Sequence, residues 1–157
     1  MAKRARVNVA PEFLPPGDVA AWHGVLLLSG RILRDLDEAL REAHGLSVAE
    51  FDVLITLYNA PKRRLRMAEL ARQVALSAAG LTHLVTRLER ERLVAREVDP
   101  DDGRGFHTVL TDQGLRRLNL ARPVHNAVIR RGLLDRVTTE DKRRLADICR
   151  RALDGNA

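Results

Sequence analysis

The chain is poor in the residues that carry much of protein chemistry. It has one cysteine, Cys149, among 157 residues. That excludes an internal disulfide framework and a cysteine-based structural zinc site, and it fits a reducing compartment such as the cytoplasm. Aromatic residues amount to 3%, with a single tryptophan, Trp22, and a single tyrosine, Tyr58. No apolar run exceeds four-residue stretches such as Val25–Leu28, far short of the roughly 20 residues that a membrane-spanning helix needs. The start, Met1-Ala2-Lys3-Arg4-Ala5-Arg6, is basic but has neither an apolar core nor a cleavage site, so no secretion signal is expected. There is no glycine-rich phosphate loop, no nucleophile elbow and no metal-ligand cluster. Glu89 and Glu91 stand two apart and do not share a helix face. The five histidines (His23, His44, His83, His107 and His125) include no pair four apart. The sequence therefore gives no support for an enzyme, a metal site or a cofactor.

What the chain does have is positive charge in one place. The formal net charge is +6 and the sequence pI about 10.6. Between Lys62 and Arg96 lie nine basic and three acidic residues, so this segment carries the whole net charge while the remainder is neutral. A basic block in a neutral frame is the footprint of a phosphate-binding protein; the alternative is a solvated basic face with no partner.

The periodicity predicts a mainly α chain. Residues 1–17, with Pro11, Pro15, Pro16 and Gly17, read as an arm. Asp18 offers an N-cap to one long helix, Val19 to His44, whose apolar positions include Trp22, Val25, Leu26, Ile32, Leu33, Leu36 and Leu40. At 1.5 Å per residue it spans about 40 Å, more than one small subunit can cover, so a partner chain is expected along it. Ser47-Val48-Ala49-Glu50 is a capping box opening a second helix to Tyr58. A third short helix, about Met67 to Val74, is followed by a link and by Ser77, the N-cap of a fourth helix to about Arg92. The period then becomes two. Val94–Val98 and Phe106–Leu110 alternate around Asp99-Pro100-Asp101-Asp102-Gly103, giving a β-hairpin with a charged tip. Thr111 caps a fifth helix to about Leu134, in which Pro123 should produce a kink. Thr138-Thr139-Glu140-Asp141 opens a sixth.

Helix, link, helix and hairpin in that order match a helix-turn-helix followed by a wing. On the fourth helix Ser77, Ala78 and Ala79 are small enough to admit a nucleic-acid backbone. Thr82, His83, Thr86 and Arg87 lie away from the leucine stripe, where they can reach base edges or phosphates. Arg104, flanked by Gly103 and Gly105, suits insertion into a narrow minor groove.

These stretches resemble the winged-helix core of the MarR family of bacterial transcription regulators. The resemblance rests on Gly45-Leu46-Ser47, Phe51–Leu54, Met67–Ala71, Leu81–Glu89, Leu93-Val94, Asp99–Arg104 and Leu110–Gly114. It implies a mainly α fold with a small hairpin wing. It also implies an N-terminal dimerisation helix at 18–46, a winged helix-turn-helix DNA-binding domain at 47–110 and C-terminal dimerisation helices at 111–157. The implied function is that of a homodimeric regulator, a repressor by preference, on double-stranded DNA with a pseudo-palindromic operator. The fourth helix would enter the major groove and Arg104 the minor groove. A small aromatic or phenolic anion would release the DNA, with Trp22, His23 and Asp52 as candidate effector contacts; burial of Trp22 between subunits is the plainer alternative. The chain departs from the family at Gly80, early in the recognition helix, and at Glu91-Arg92, where many members have glycine. Cys149, beside Ile148 and Ala152, reads as an inert core thiol. A protein-interaction adaptor, or a nucleoid-type DNA binder with no effector, is the competing function.

Overall fold

A computed structural model describes residues 13–74, 76–98 and 106–154. Among the described residues the elements run α1 (Pro16–His44), α2 (Val48–Asn59), a tight turn (Pro61–Arg63), β1 (Arg64–Arg66), α3 (Met67–Gln73), α4 (Ala78–Arg90), β2 (Val94–Val98), β3 (Phe106–Leu110), α5 (Asp112–Gly132), a short turn (Leu134–Arg136) and α6 (Thr139–Asp154). The chain divides into two units, one reaching Arg31 and the other starting at Ile32, with α1 contributing to both.

Caps written in the sequence set the helix starts. The amide of Glu50 donates to Ser47 Oγ at 3.2 Å, and the amide of Ser47 donates to the Glu50 carboxylate at 2.8 Å, completing the box. Ser77 Oγ accepts from the amide of Gly80, and Thr111 Oγ1 from that of Gly114. At α6 the amide of Asp141 donates to Thr138 Oγ1, and its carboxylate accepts from Thr138 in return. Helix α1 starts three residues earlier than expected. The prolines do not exclude helix here: Pro16 occupies the first helical position, where its missing N–H has no partner to lose, and the carbonyl of Pro15 accepts from Asp18 and Val19. Helix α5 passes through Pro123 without interruption.

In the second unit Leu40, Leu46, Phe51, Leu54 and Leu57 pack with Leu70, Leu81, Val85, Leu88, Leu93, Leu110 and Leu118 in one apolar core. The leucine stripes of α2, α3 and α4 all point into it, which leaves the opposite face of α4 outside. Antiparallel strands in the order β1-β3-β2 close the core, with Leu65 opposite Thr108 and Arg96 opposite Thr108 from the other side. Strand β1 was not expected from the sequence. Its three residues, Arg-Leu-Arg, are too few to establish an alternation.

Two helices end in left-handed residues. Gly45 (φ 64°) terminates α1, with its amide donating to the carbonyl of Arg41. After α4 the same job falls to Arg92, at φ 58°. The amides of Leu93 and Arg92 donate to the carbonyls of Leu88 and Glu89, both at 2.9 Å, forming a complete Schellman turn with arginine where glycine is preferred. A side chain in that conformation costs about 1 kcal/mol. Arg92→Gly is therefore expected to raise the melting temperature by roughly 2–4 °C in thermal denaturation. An unchanged or lower value would show that the arginine side chain offsets the strain.

Candidate nucleic-acid interface

The described elements of the candidate interface are α3, the link to Ser77, α4 and the paired strands β2 and β3. Ser77, Ala78, Ala79, Thr82, His83 and Arg87 are exposed, and Thr86 is half-buried, on the side of α4 away from Leu81, Val85 and Leu88. The structure thus brings the expected reading residues onto one outward face. Arg104 and the tip residues Asp99–Gly103 lie outside the described residues.

The hydroxyls on this face are already engaged. Thr82 Oγ1 donates to the carbonyl of Ala78 at 2.8 Å, and Thr86 Oγ1 to that of Thr82 at 2.8 Å. Arg96, from β2, donates through Nη2 to Thr86 Oγ1 at 3.1 Å, while its Nε stands 3.5 Å from a Glu89 carboxylate oxygen. The wing strand is therefore tied to the outer face of α4. Sequence reading missed Arg96 because its partners come from another element.

Arg87 has a second part to play beyond the phosphate or guanine contact expected of it. Its Nε lies 3.0 Å from Glu50 Oε1 and 3.5 Å from Glu91 Oε1. Glu50 is 1% exposed. Its other oxygen completes the α2 cap, and Oε1 has no directed hydrogen bond, so the Arg87 charge is what compensates it. Arg87 thereby fixes α4 against the start of α2.

Of the basic residues that open the block, Arg63 and Arg64 are engaged within the fold. Lys62 and Arg63 both have φ 54°. The Arg63 guanidinium lies 5.7 Å from the Tyr58 ring centroid, and Arg122 covers the same ring at 4.2 Å. Arg64 lies opposite Val109, at the end of the hairpin remote from its tip, 3.9 Å from Glu97.

The closing turn of α4 is clasped by the start of α5. Gln113 Nε2 donates to the carbonyl of Glu91 at 3.0 Å; Thr111 Oγ1 faces the carbonyls of Arg92 and Leu93 at 2.7 and 3.0 Å; the Thr111 amide donates to that of Leu93. Gly114 sits so close that a Cβ there would lie 2.0 Å from the Leu93 oxygen. This is what the Leu-Thr-Asp-x-Gly pattern builds.

The candidate effector residues fall in different units. Trp22 and His23 belong to the first, and both are exposed; Trp22 is 58% exposed rather than covered by its own chain. Asp52 belongs to the second. It lines an open groove of about 620 Å³ between α1, α2 and the link after α3, together with Leu33, Arg34, Arg41, Val74 and Leu76. Burial pushes the Asp52 carboxyl up, with the charge of His125 pulling it down. Asp37, also on the groove, is held below the usual carboxylate range by hydrogen bonds from Arg41 and from the Val48 amide.

The same architecture is found in known proteins. A DNA-bound structure of Sco3205, a MarR family transcriptional regulator from Streptomyces coelicolor, is 32% identical, covers 92% of this chain and 91% of that one, and superposes with a TM-score of 0.87. The chain belongs to the MarR family of transcription regulators. The family model itself matches residues 44–105. AbsC, a second MarR family regulator from Streptomyces coelicolor, is 29% identical over 92% of this chain and 97% of that one, with a TM-score of 0.85. The uncharacterized regulator YkoM of Bacillus subtilis is 33% identical over 82 residues, so the match spans about half of each protein, 52% in both cases. MarR proteins are DNA-binding regulators rather than enzymes. Among the described residues no helix is long and apolar enough to cross a membrane, and no group of three potential ligands could hold a metal ion.

Cys149 departs from its sequence reading. It is exposed, because α6 buries none of its residues within the single chain.

Proposed function

We propose that this MarR family protein is a homodimeric repressor that binds a pseudo-palindromic operator through α4 and the wing. What carries the reading is the outer face of α4, small at its start and polar beyond it, on a helix whose other face is fully committed to the core. The proposed contacts are Ser77, Ala78, Ala79, Thr82, His83 and Thr86 in the major groove and Arg104 in the minor groove. Arg87 serves from its seat against Glu50. Apolar surface supports the dimer. Trp22, Val25 and Leu26 on α1 are at least half exposed, and on α6 so are Ile148 and Leu153. Covering such stripes takes an interface of roughly 2,000 Å² or more.

Light scattering at micromolar concentration should give twice the 17.6 kDa chain mass. Half-site centres should lie about one helical turn apart. With six to ten phosphate contacts, operator affinity should fall by roughly 10³–10⁵ between 50 and 200 mM salt, and Arg104→Ala should weaken binding to all sequences alike. A flat salt titration by a monomer would instead favour a protein-interaction adaptor.

A small aromatic anion is the proposed effector, taken by the groove at Asp52 with Arg34 as the cation. Preference for a DNA-incompetent state by about 1–3 kcal/mol is enough to release the operator several-fold. Titration with salicylate, following the heat of binding and DNA release together, tests this. Binding without release would describe a site that does not regulate.

A further inference from the structure

We propose that Thr86 of the recognition helix reads an exocyclic amine, with Arg96 as the specificity-determining residue that commits it to that role. The inference rests on the proposed DNA-reading role of α4 and concerns what that face can accept. A threonine hydroxyl has one proton and two lone pairs. The protons of Thr82 and Thr86 are both spent on helix carbonyls, those of Ala78 and Thr82, at 2.8 Å. Back-bonding of this kind is local, so it does not wait for DNA. Thr86 is held further, because Arg96 Nη2 donates into one of its lone pairs at 3.1 Å. Arg96 is itself braced by Glu89 at 3.5 Å and by its place in β2 opposite Thr108. A Thr86 hydroxyl rotated to point its proton outward would lose the Thr82 carbonyl and turn away the lone pair that Arg96 holds, so with Arg96 in place the state offered to a base is an acceptor.

In the major groove the donors are the N6 amine of adenine and the N4 amine of cytosine. Guanine O6 and N7 and thymine O4 are acceptors and gain nothing from a second acceptor. Thr86 therefore faces an adenine or a cytosine, and the strand that carries the amine is fixed; Thr82, with no second donor, is not committed in this way. Lysine at position 96 could still donate to Thr86, whereas methionine could not.

Duplexes selected from a random library by the full-length protein and by Thr86→Val identify the base pair that depends on Thr86. Deleting the amine there, with purine in place of adenine or 2-pyrimidinone in place of cytosine, should lower wild-type affinity about three- to tenfold. Thr86→Val should be indifferent to the deletion. Arg96→Met should shrink the discrimination to within about twofold, and Arg96→Lys should retain it. Equal wild-type affinity for the two duplexes would overturn the inference, as would full discrimination by Arg96→Met or a loss on removing the keto oxygen of the opposite base. Thr86→Val keeps the test open if Arg96→Met does not fold. A wild-type protein that selects no sequence would overturn the DNA-reading function and this inference together.

Discussion

Gly114→Ala is expected to destabilise the protein by about 3 kcal/mol or more, lowering the melting temperature by roughly 6–12 °C. The added Cβ would lie 2.0 Å from the Leu93 oxygen and 2.8 Å from a Leu110 methyl group. Neither neighbour can move away cheaply. The Leu93 carbonyl accepts from the Thr111 amide and faces its hydroxyl, and Leu110 is buried in the core. Relief must come from separating the start of α5 from the end of α4, which breaks the clasp made by Thr111 and Gln113. Operator affinity should fall with stability, since the same turn fixes the C-terminal end of the recognition helix. Gly80→Ala is the natural comparison. Its Cβ would meet only the Ser77 hydroxyl, at 3.2 Å, and alanine favours helix, so stability should change by less than about 1 kcal/mol. Similar melting temperatures for the two variants would disprove the role assigned to the clasp.

The second large effect is expected at Arg87. Arg87→Met removes the charge facing Glu50 Oε1, leaving a carboxylate oxygen inside the protein with neither a cation nor a directed hydrogen bond. Breaking one side of a buried pair costs 3–5 kcal/mol; because Arg87 is half exposed, about 2–3 kcal/mol is expected in urea unfolding. Glu50→Gln combined with Arg87→Met should recover part of the loss, since the amide can still accept from Ser47 and carries no charge. A double variant as unstable as the sum of the singles would show that the two residues act independently. A single variant with unchanged stability would show that Arg87 does not support the fold through Glu50.

Much of the fold was legible because its signals are local. The boxes at Ser47 and Thr138, the caps at Ser77 and Thr111, and the change of period after Leu93 each lie within a few residues of the element they define. The outer face of α4 could be read for the same reason: the leucine stripe fixes which residues are left outside. Relations between elements were not legible. Nothing near Glu50 in sequence announces that its second oxygen meets a residue of α4, and nothing near Arg96 announces Thr86. The basic block illustrates the cost. Counted along the chain it reads as one phosphate-binding segment; in space Arg87, Arg96 and Arg64 face glutamates, and Arg63 lies over Tyr58. Cys149 was misplaced because an apolar stripe on a helix shows that something covers it, not that its own chain does. Pro16 was misread because the same residue that breaks a helix inside begins one well.

Strand β1 gives the arginines another significance. It lies at one edge of the three-stranded sheet, the kind of position at which a strand from a second molecule can add. Three residues are too short to be a good template, and Leu65, its one apolar side chain, points into the core between Arg64 and Arg66. Any chain adding to this edge would have to desolvate charge on both sides of a single leucine. Arg64 and Arg66, which along the chain belong to the basic block, thus also guard this edge of the sheet, and variants that neutralise them should be watched for aggregation.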